Sequence, residues 1–371
     1  MNRLASTRWH VVSLLRCFVV TFNSSASSGE SVCFDCLSSE DRFPQRQSRN
    51  DTSFFLFRWL VVSLLLLNGC GGYIQRMVTR SLERIGEPVE SAPMMISTPV
   101  LDNPPLAISW VGHATVLVQI RDKVFITDPL FTDYIGMVVK RYVGPGLDPS
   151  LLPRIDFTLI SHIHMDHFSF GSLDMLPKNG TLVIPQGLLR YTPDFGFRGL
   201  KELKPWESIE EDGVRVTAVP VQHFSGRYGI DNAWLGQKGY TGYVFEYAGT
   251  TVFVGGDTGY HPELFKEIGR RFPIDVALLP IAPGSLTNLG GRVHVGPLGA
   301  LTIMQDLGAA YMVPMHHRTM FYGSDSNPTQ AIESLRSLAA QMGLSDRIID
   351  LDIGEQRVLR LNSEGLPAGL P

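Results

Sequence analysis

Cysteine is scarce in this chain and confined to one end. There are four in 371 residues (Cys17, Cys33, Cys36, Cys70), and none follows position 70. That excludes a disulfide framework, and it excludes thiolate ligation of a metal anywhere in the rest of the chain. An excess of positive charge is also missing. Lys and Arg number 32 against 36 Asp and Glu, a formal net charge of −4, so the polybasic signature of a general nucleic-acid binder is absent and no nucleic-acid partner is expected. No apolar run reaches the ~20 residues that span a bilayer as a helix. The 44% hydrophobic and 18% charged residues are ordinary for a globular chain and exclude wholesale disorder and collagen-like repeats. Histidine is plentiful in one region: nine of the ten lie between His113 and His317.

The chain divides by texture. Residues 1–53 read as a disordered or upstream leader, with a Ser-, Asn-, Asp- and Arg-rich stretch over 23–53 that has no apolar period. The CxxC of Cys33 and Cys36 lies there without further ligands or a strand–helix context. Residues 54–72 open with FFLFRWLVVSLLLL, which fits the apolar core of a signal peptide. They continue as Leu67-Asn68-Gly69-Cys70, which resembles the lipobox of bacterial lipoproteins. The resemblance implies a mature chain beginning at a lipidated Cys70, anchored in a bacterial cell envelope on the periplasmic or outer-membrane face. The alternative is an uncleaved anchor or a buried apolar segment. Residues 73–105 then read as a tether and 362–371 as a tail.

Over 106–361 short β-rich runs alternate with turns and helical stretches. Strands are expected at 106–110, 115–120, 123–127, 157–160, 181–184, 214–219, 240–247, 251–254, 275–279 and 310–313. Helices are expected at 262–270, 297–306 and 328–342, the first two opening on Pro262 and Pro297, where a missing N–H costs nothing. The expected architecture is α/β, one domain of two sheets covered by helices.

Ligand-type residues recur where these strands stop. The 157–160 strand runs into Ser161-His162-Ile163-His164-Met165-Asp166-His167. Alternate residues of an extended segment face one side, so His162 and His164 can meet one metal while Asp166 and His167 turn to another. Three buried imidazoles would otherwise each need a partner. Other strand ends deliver His223, Asp257 and the pair His316-His317. Imidazole and carboxylate suit zinc and related divalent ions.

With these residues the chain resembles the metallo-β-lactamase superfamily, whose hallmark is HxHxDH followed by separate His, Asp and His ligands. Within it, WVGHAT at 110–115, ITDPLF at 126–131, GDTGY at 256–260, FKEIG at 265–269 and HVGP at 294–297 resemble the N-acyl-phosphatidylethanolamine-hydrolysing phospholipase D branch and its bacterial relatives. The resemblance implies an αββα sandwich with a two-metal site on one edge. It implies His162, His164 and His223 at the first metal, and Asp166, His167 and His316 at the second, with Asp257 bridging. Asp128 would orient the histidine loop by hydrogen bonds, or simply serve the turn before Pro129. His317 is the alternative to His316, with Thr319 setting the register in favour of His316. Phe224 would form an aromatic lip. Arg227 would bind phosphate or form a surface salt bridge. His294 would face substrate and assist the leaving group, or cap the helix near Pro297. His113 and His261 read as loop histidines.

Two metals ~3.5–4 Å apart would bridge and acidify a water, giving a hydroxide nucleophile, with Asp166, Asp257 and His294 in the catalytic set. The activity so implied is a phosphodiesterase on phospholipid-like substrate. The alternatives are a lactonase of the ascorbate-phosphate type and a non-catalytic membrane-anchored envelope protein.

Overall fold

The computed structural model of the protein describes residues 76, 79–136, 139–228, 231–236, 238–321 and 327–360. The chain divides into units 1–75 and 76–371, and the description below concerns the second. The leader, the signal-like segment with Cys70 and the tail lie outside the described residues.

A meander of β1 (Leu106–Gly112), β2 (Thr115–Ile120) and β3 (Lys123–Thr127) starts the first sheet. A small ribbon, β4 (Tyr134–Ile135) and β5 (Val139–Lys140), stands apart from it. The sheet then continues in parallel through β6 (Phe157–Leu159), β7 (Thr181–Pro185) and β8 (Gly199–Leu203). The second sheet comprises β9 (Ser208–Glu211), β10 (Val214–Val219), β11 (Gly242–Tyr247) and β12 (Thr250–Val254), all antiparallel, then β13 (Val276–Pro280) and β14 (Tyr311–Met315), both parallel. The last strand, β15 (Gln356–Leu359), returns to pair with β1. The helices are α1 (Phe170–Met175), α2 (Asn232–Leu235), α3 (Pro262–Arg271), α4 (Pro297–Asp306) and α5 (Gln330–Gln341). Among the described residues, no helix is long and apolar enough to cross a membrane.

The strands are apolar on both faces because both faces are covered. Ile108, Trp110, Val116, Val118 and Phe157 of the first sheet pack with Val216, Phe245, Val252, Val254 and Val313 of the second. Intervening residues point outward. Phe253, Ala277 and Met312 meet Phe265, Ile268, Leu301 and Leu335 of α3, α4 and α5, while Leu117, Ile126 and Ile184 meet Leu173 of α1 and Leu235 of α2. Helices therefore cover the outer face of each sheet, the expected αββα arrangement.

One boundary differs from expectation. Residues 79–105 are not a tether but are laid along the sandwich. The Lys140 N–H donates to Ser81 Oγ (3.2 Å), the Glu90 N–H to Tyr142 O (2.8 Å) and the Ile96 N–H to Gly146 O (2.8 Å). Gln119 exchanges hydrogen bonds of 2.8 Å with the Leu101 backbone through both ends of its amide. Such a segment reads as polar linker because its backbone partners come from distant loops, which local pattern cannot reveal.

Candidate metal centre

Strand ends of both sheets converge on one edge, in line with the rule that sites form at the carboxyl ends of strands. The first sheet brings Asp128 after β3 and residues 161–167 after β6, and the Asp128 N–H donates to Leu159 O (2.9 Å) to align the two. The second sheet brings His223 after β10, Asp257 after β12 and His316 after β14. Several residues there sit in the left-handed region that a side chain disfavours: His113 at φ 55°, Asp128 at 36° and His316 at 61°. Each such residue costs about 1–3 kcal/mol and persists only where its surroundings over-determine it.

Two donor pockets result. In the first, His162 Nε2 and His164 Nδ1 are 2.8 Å apart, and His223 Nε2 is 3.3 Å from His164 Nδ1. In the second, His167 Nε2 lies 3.2 Å from His316 Nε2 and 3.5 Å from Asp166 Oδ2, and Asp166 Oδ2 is 3.7 Å from His316 Nε2. Asp257 stands between the pockets: Oδ1 is 3.2 Å from His316 Nε2, while Oδ2 is 3.4 Å from His167 Nε2 and 4.0 Å from His162 Nε2. Ligands about 2.0–2.1 Å from a tetrahedral zinc would stand about 3.3 Å from one another, and the spacings within the pockets, from 2.8 to 3.7 Å, lie on either side of that value.

The hydrogen-bonding pattern behind these atoms tests the fit to a cation. A carboxylate or carbonyl only accepts. His167 Nδ1 faces Asp128 Oδ2 (2.8 Å), His316 Nδ1 faces Ala282 O (2.7 Å) and His223 Nδ1 faces Val293 O (3.0 Å), so each Nδ1 carries the hydrogen. Each Nε2 is then the ring nitrogen turned to its pocket, the atom that would ligate a cation there. His162 is set by a relay: the Ser161 hydroxyl donates to Asp128 Oδ2 (2.6 Å) and accepts from His162 Nδ1 (2.9 Å). Ligand-type atoms therefore face one another, and the buried Asp257 Oδ1 makes no well-formed hydrogen bond. A divalent cation in each pocket is what such a set fits.

The electrostatics agree. Burial raises Asp257, but the rings of His316, His167 and His294 outweigh it and hold the carboxyl well below its usual range. Burial likewise raises Asp166, and His167 with hydrogen bonds from His113, His167 and His316 holds it well below. Burial lowers His167, yet Asp257, Asp166 and Asp128 hold it well above the ordinary imidazole range: the second pocket demands positive charge. Burial, joined by neighbouring His167, His164 and His223, holds His162 well below its ordinary value, and His164 falls to about 4, chiefly through burial.

The remaining expected residues divide. Phe224 is exposed, its ring 4.7 Å from His164 and 5.0 Å from His223. His294 stands at the mouth with Nδ1 3.5 Å from Asp257 Oδ2, and does not cap α4, which has no side-chain cap. Asp128 accepts hydrogen bonds from Ser161 N (2.6 Å), Ser161 Oγ and His167 Nδ1 of the histidine loop. His317 points away, buried and stacked on Trp110 at 4.4 Å, so the geometry brings His316, not His317, to the pocket. Arg227 reaches back to the histidine loop. Its Nη1 donates to Ile163 O (3.1 Å) and Phe168 O (2.8 Å), and the guanidinium lies over Phe170 at 4.3 Å. It clamps the histidine loop because those carbonyls and rings lie within its reach. His261 is exposed at the start of α3. His113 is the residue that sequence reasoning set aside: it lies with Asp166, His167 and His316, ligand atoms all within 4.8 Å of one another.

Comparison with known proteins bears on the family and the fold. The family model described as "Beta-lactamase superfamily domain" matches residues 124–317. An uncharacterized protein of Mycobacterium bovis is 30% identical over 244 residues, 62% of this chain and 64% of that protein; the chain thus spans less than two thirds of that relative. An N-acyl-phosphatidylethanolamine-hydrolyzing phospholipase D 1 of Caenorhabditis elegans is 28% identical over 271 residues, 67% of this chain and 75% of the other. The crystal structure of an isothiocyanate hydrolase from Delia radicum gut bacteria shares the fold, with TM-score 0.54 and 21% identity over 68% of this chain and 98% of that one.

Proposed function

This chain belongs to the beta-lactamase superfamily, and from that premise we propose that it is a metal-dependent hydrolase, a binuclear phosphodiesterase of phospholipase D type acting on N-acyl-phosphatidylethanolamine-like lipids. The observation that carries the reading is the pair of donor pockets joined by Asp257, with imidazole nitrogens turned inward. His162, His164 and His223 would hold one divalent ion, most simply zinc, and Asp166, His167 and His316 the other. When bound, such ions polarise a phosphoryl oxygen and acidify water.

The chain's own residues supply the rest. Burial holds His294 below its ordinary pKa, so its ring is neutral near pH 7 and can accept a proton from the attacking water. Returning that proton to the departing oxygen completes the exchange: one P–O bond forms to water's oxygen, one breaks to the head-group alcohol, and the proton follows the leaving group. Phe224, Tyr228 and Trp234, all exposed, would offer apolar surface to acyl chains. The C. elegans relative supports the substrate class by its name. The lipobox-like residues 67–70 support a lipid anchor at Cys70 that would hold the enzyme at an envelope membrane.

The test is a pair of assays on metal-loaded full-length protein, with N-acyl phosphatidylethanolamine in mixed micelles and with a water-soluble sugar-phosphate lactone. Release of phosphatidic acid that is lost in Asp257→Ala supports the reading. Lactone hydrolysis far above phosphodiester hydrolysis would move the assignment to a lactonase.

A further inference from the structure

Of the donors around the second pocket, Asp166 is the least enclosed. Its side chain is 24% exposed, against 0% for His167, 2% for His316 and 3% for Asp257. A partly exposed carboxylate is free to turn unless something fixes it. Of the side chains around it, His113 makes the shortest contact. It lies wholly buried in the tight turn between β1 and β2, and its Nε2 is 3.1 Å from Asp166 Oδ2.

We infer that His113 is a positioning residue for the second metal pocket, holding Asp166 by its side chain and His316 by its backbone. This rests on the two-metal reading above. The carboxylate only accepts, so His113 Nε2 carries the hydrogen. That atom is thereby a donor to the carboxylate and not a metal ligand, although it lies as near the pocket as the ligands do. At the same time the His113 carbonyl accepts from the His316 N–H (2.9 Å) and from Trp110 Nε1 (2.9 Å). The His113 N–H donates to Thr319 Oγ1 (2.9 Å), and the His113 ring packs 4.0 Å from that of His316. Asp166 comes from the first sheet and His316 from the second. One residue in a left-handed turn therefore sets the distance between ligands that no strand pairing relates.

Two substitutions separate the backbone role from the donor. Asn is at ease at φ 55°, so His113→Asn keeps the turn, but its amide stops short of Asp166. His113→Gln carries an N–H to about where Nε2 stands. Zinc is titrated into metal-free full-length protein against a chromophoric chelator, and cobalt absorption reports the coordination of each site. Wild type should take up two equivalents. His113→Asn should weaken the second by about 10–100-fold and leave the first unchanged, the usual range for removing a ligand's hydrogen-bond partner. His113→Gln should recover most of that loss and restore the second cobalt spectrum. Two metals at wild-type affinity in His113→Asn would overturn the inference, as would a Gln variant no better than Asn. Should the Asn variant fail to fold, the Gln variant decides: folded with both metals at wild-type affinity it supports the inference, and unfolded or with one metal it overturns it. Wild type that takes up fewer than two metals would instead refute the two-metal reading itself.

Discussion

Asp128→Asn is an isosteric change that should disable both pockets at once. Asp128 accepts three hydrogen bonds, from Ser161 N at 2.6 Å, Ser161 Oγ at 2.6 Å and His167 Nδ1 at 2.8 Å. An asparagine can keep its oxygen on Ser161 N, but its NH2 then faces His167 Nδ1 and Ser161 Oγ. To accept from that NH2, His167 must move its hydrogen to Nε2, where it blocks the second pocket. The Ser161 hydroxyl must turn its hydrogen toward His162 Nδ1, 2.9 Å away, which places the His162 hydrogen on Nε2 and blocks the first. The flipped amide fares no better, since its NH2 then meets the Ser161 N–H. In either orientation a charge-assisted hydrogen bond worth about 1.5–3 kcal/mol is lost. At 1.4 kcal/mol per tenfold, that predicts roughly 10–100-fold weaker binding of each metal. Zinc titration against a chelator measures both constants. Ser161→Ala is the control, because it breaks only the relay to His162 and should weaken the first metal alone. Wild-type affinity at both sites in Asp128→Asn, or an equal effect of Ser161→Ala on both, would refute the tautomer reasoning.

Other substitutions follow from the same geometry. Asp257→Ala should abolish turnover and lower metal content while the metal-free protein keeps its circular dichroism spectrum, because the carboxylate joins the pockets without supporting the core. His316→Ala should sharply weaken the second metal, whereas His317→Ala should leave metal content intact, lower stability by about 1–3 kcal/mol and change Trp110 fluorescence by removing the stacked ring. Arg227→Ala should depress phosphodiester and uncharged-ester turnover alike, together with metal affinity, since the guanidinium holds loop carbonyls; a selective loss of phosphodiester turnover would place it on the substrate instead. If Cys70 is lipidated, intact-mass analysis of membrane-isolated protein should find residues 1–69 removed, and Cys70→Ser should release the protein from detergent.

The central strands and the long helices were legible because burial on both faces writes continuous apolar runs, and because Pro262 and Pro297 mark helix starts. Of the strands that escaped sequence reading, β4 and β5 form a two-residue ribbon of their own, and β8, β9 and β15 are edge strands of the two large sheets. Their residues, such as Gly199-Leu200-Lys201-Glu202 or Ser208-Ile209-Glu210-Glu211, carry no apolar alternation, and the neighbouring strand alone makes them strands. The ligand cluster was legible from residue type and spacing. The direction in which each side chain turns was not: Arg227 lies four residues after His223, yet it reaches back to the carbonyls of Ile163 and Phe168. His113 was set aside because its partners, Asp166 and His316, lie far from it in the chain and meet it only when the two sheets close.

Each pocket draws donors from both sheets: His162 and His164 with His223, and Asp166 and His167 with His316. A bound cation is therefore a rivet through the sandwich, added to the apolar packing and the few hydrogen bonds that join the two layers. Ions that bind the folded protein alone add about 4 kcal/mol of stability at a thousandfold excess over their dissociation constant. The melting point of this protein should thus report free zinc in solution. Exposure to a chelator should first loosen the seam along the ligand edge, where Asp128, His162 and His316 meet, before the outer helices come away.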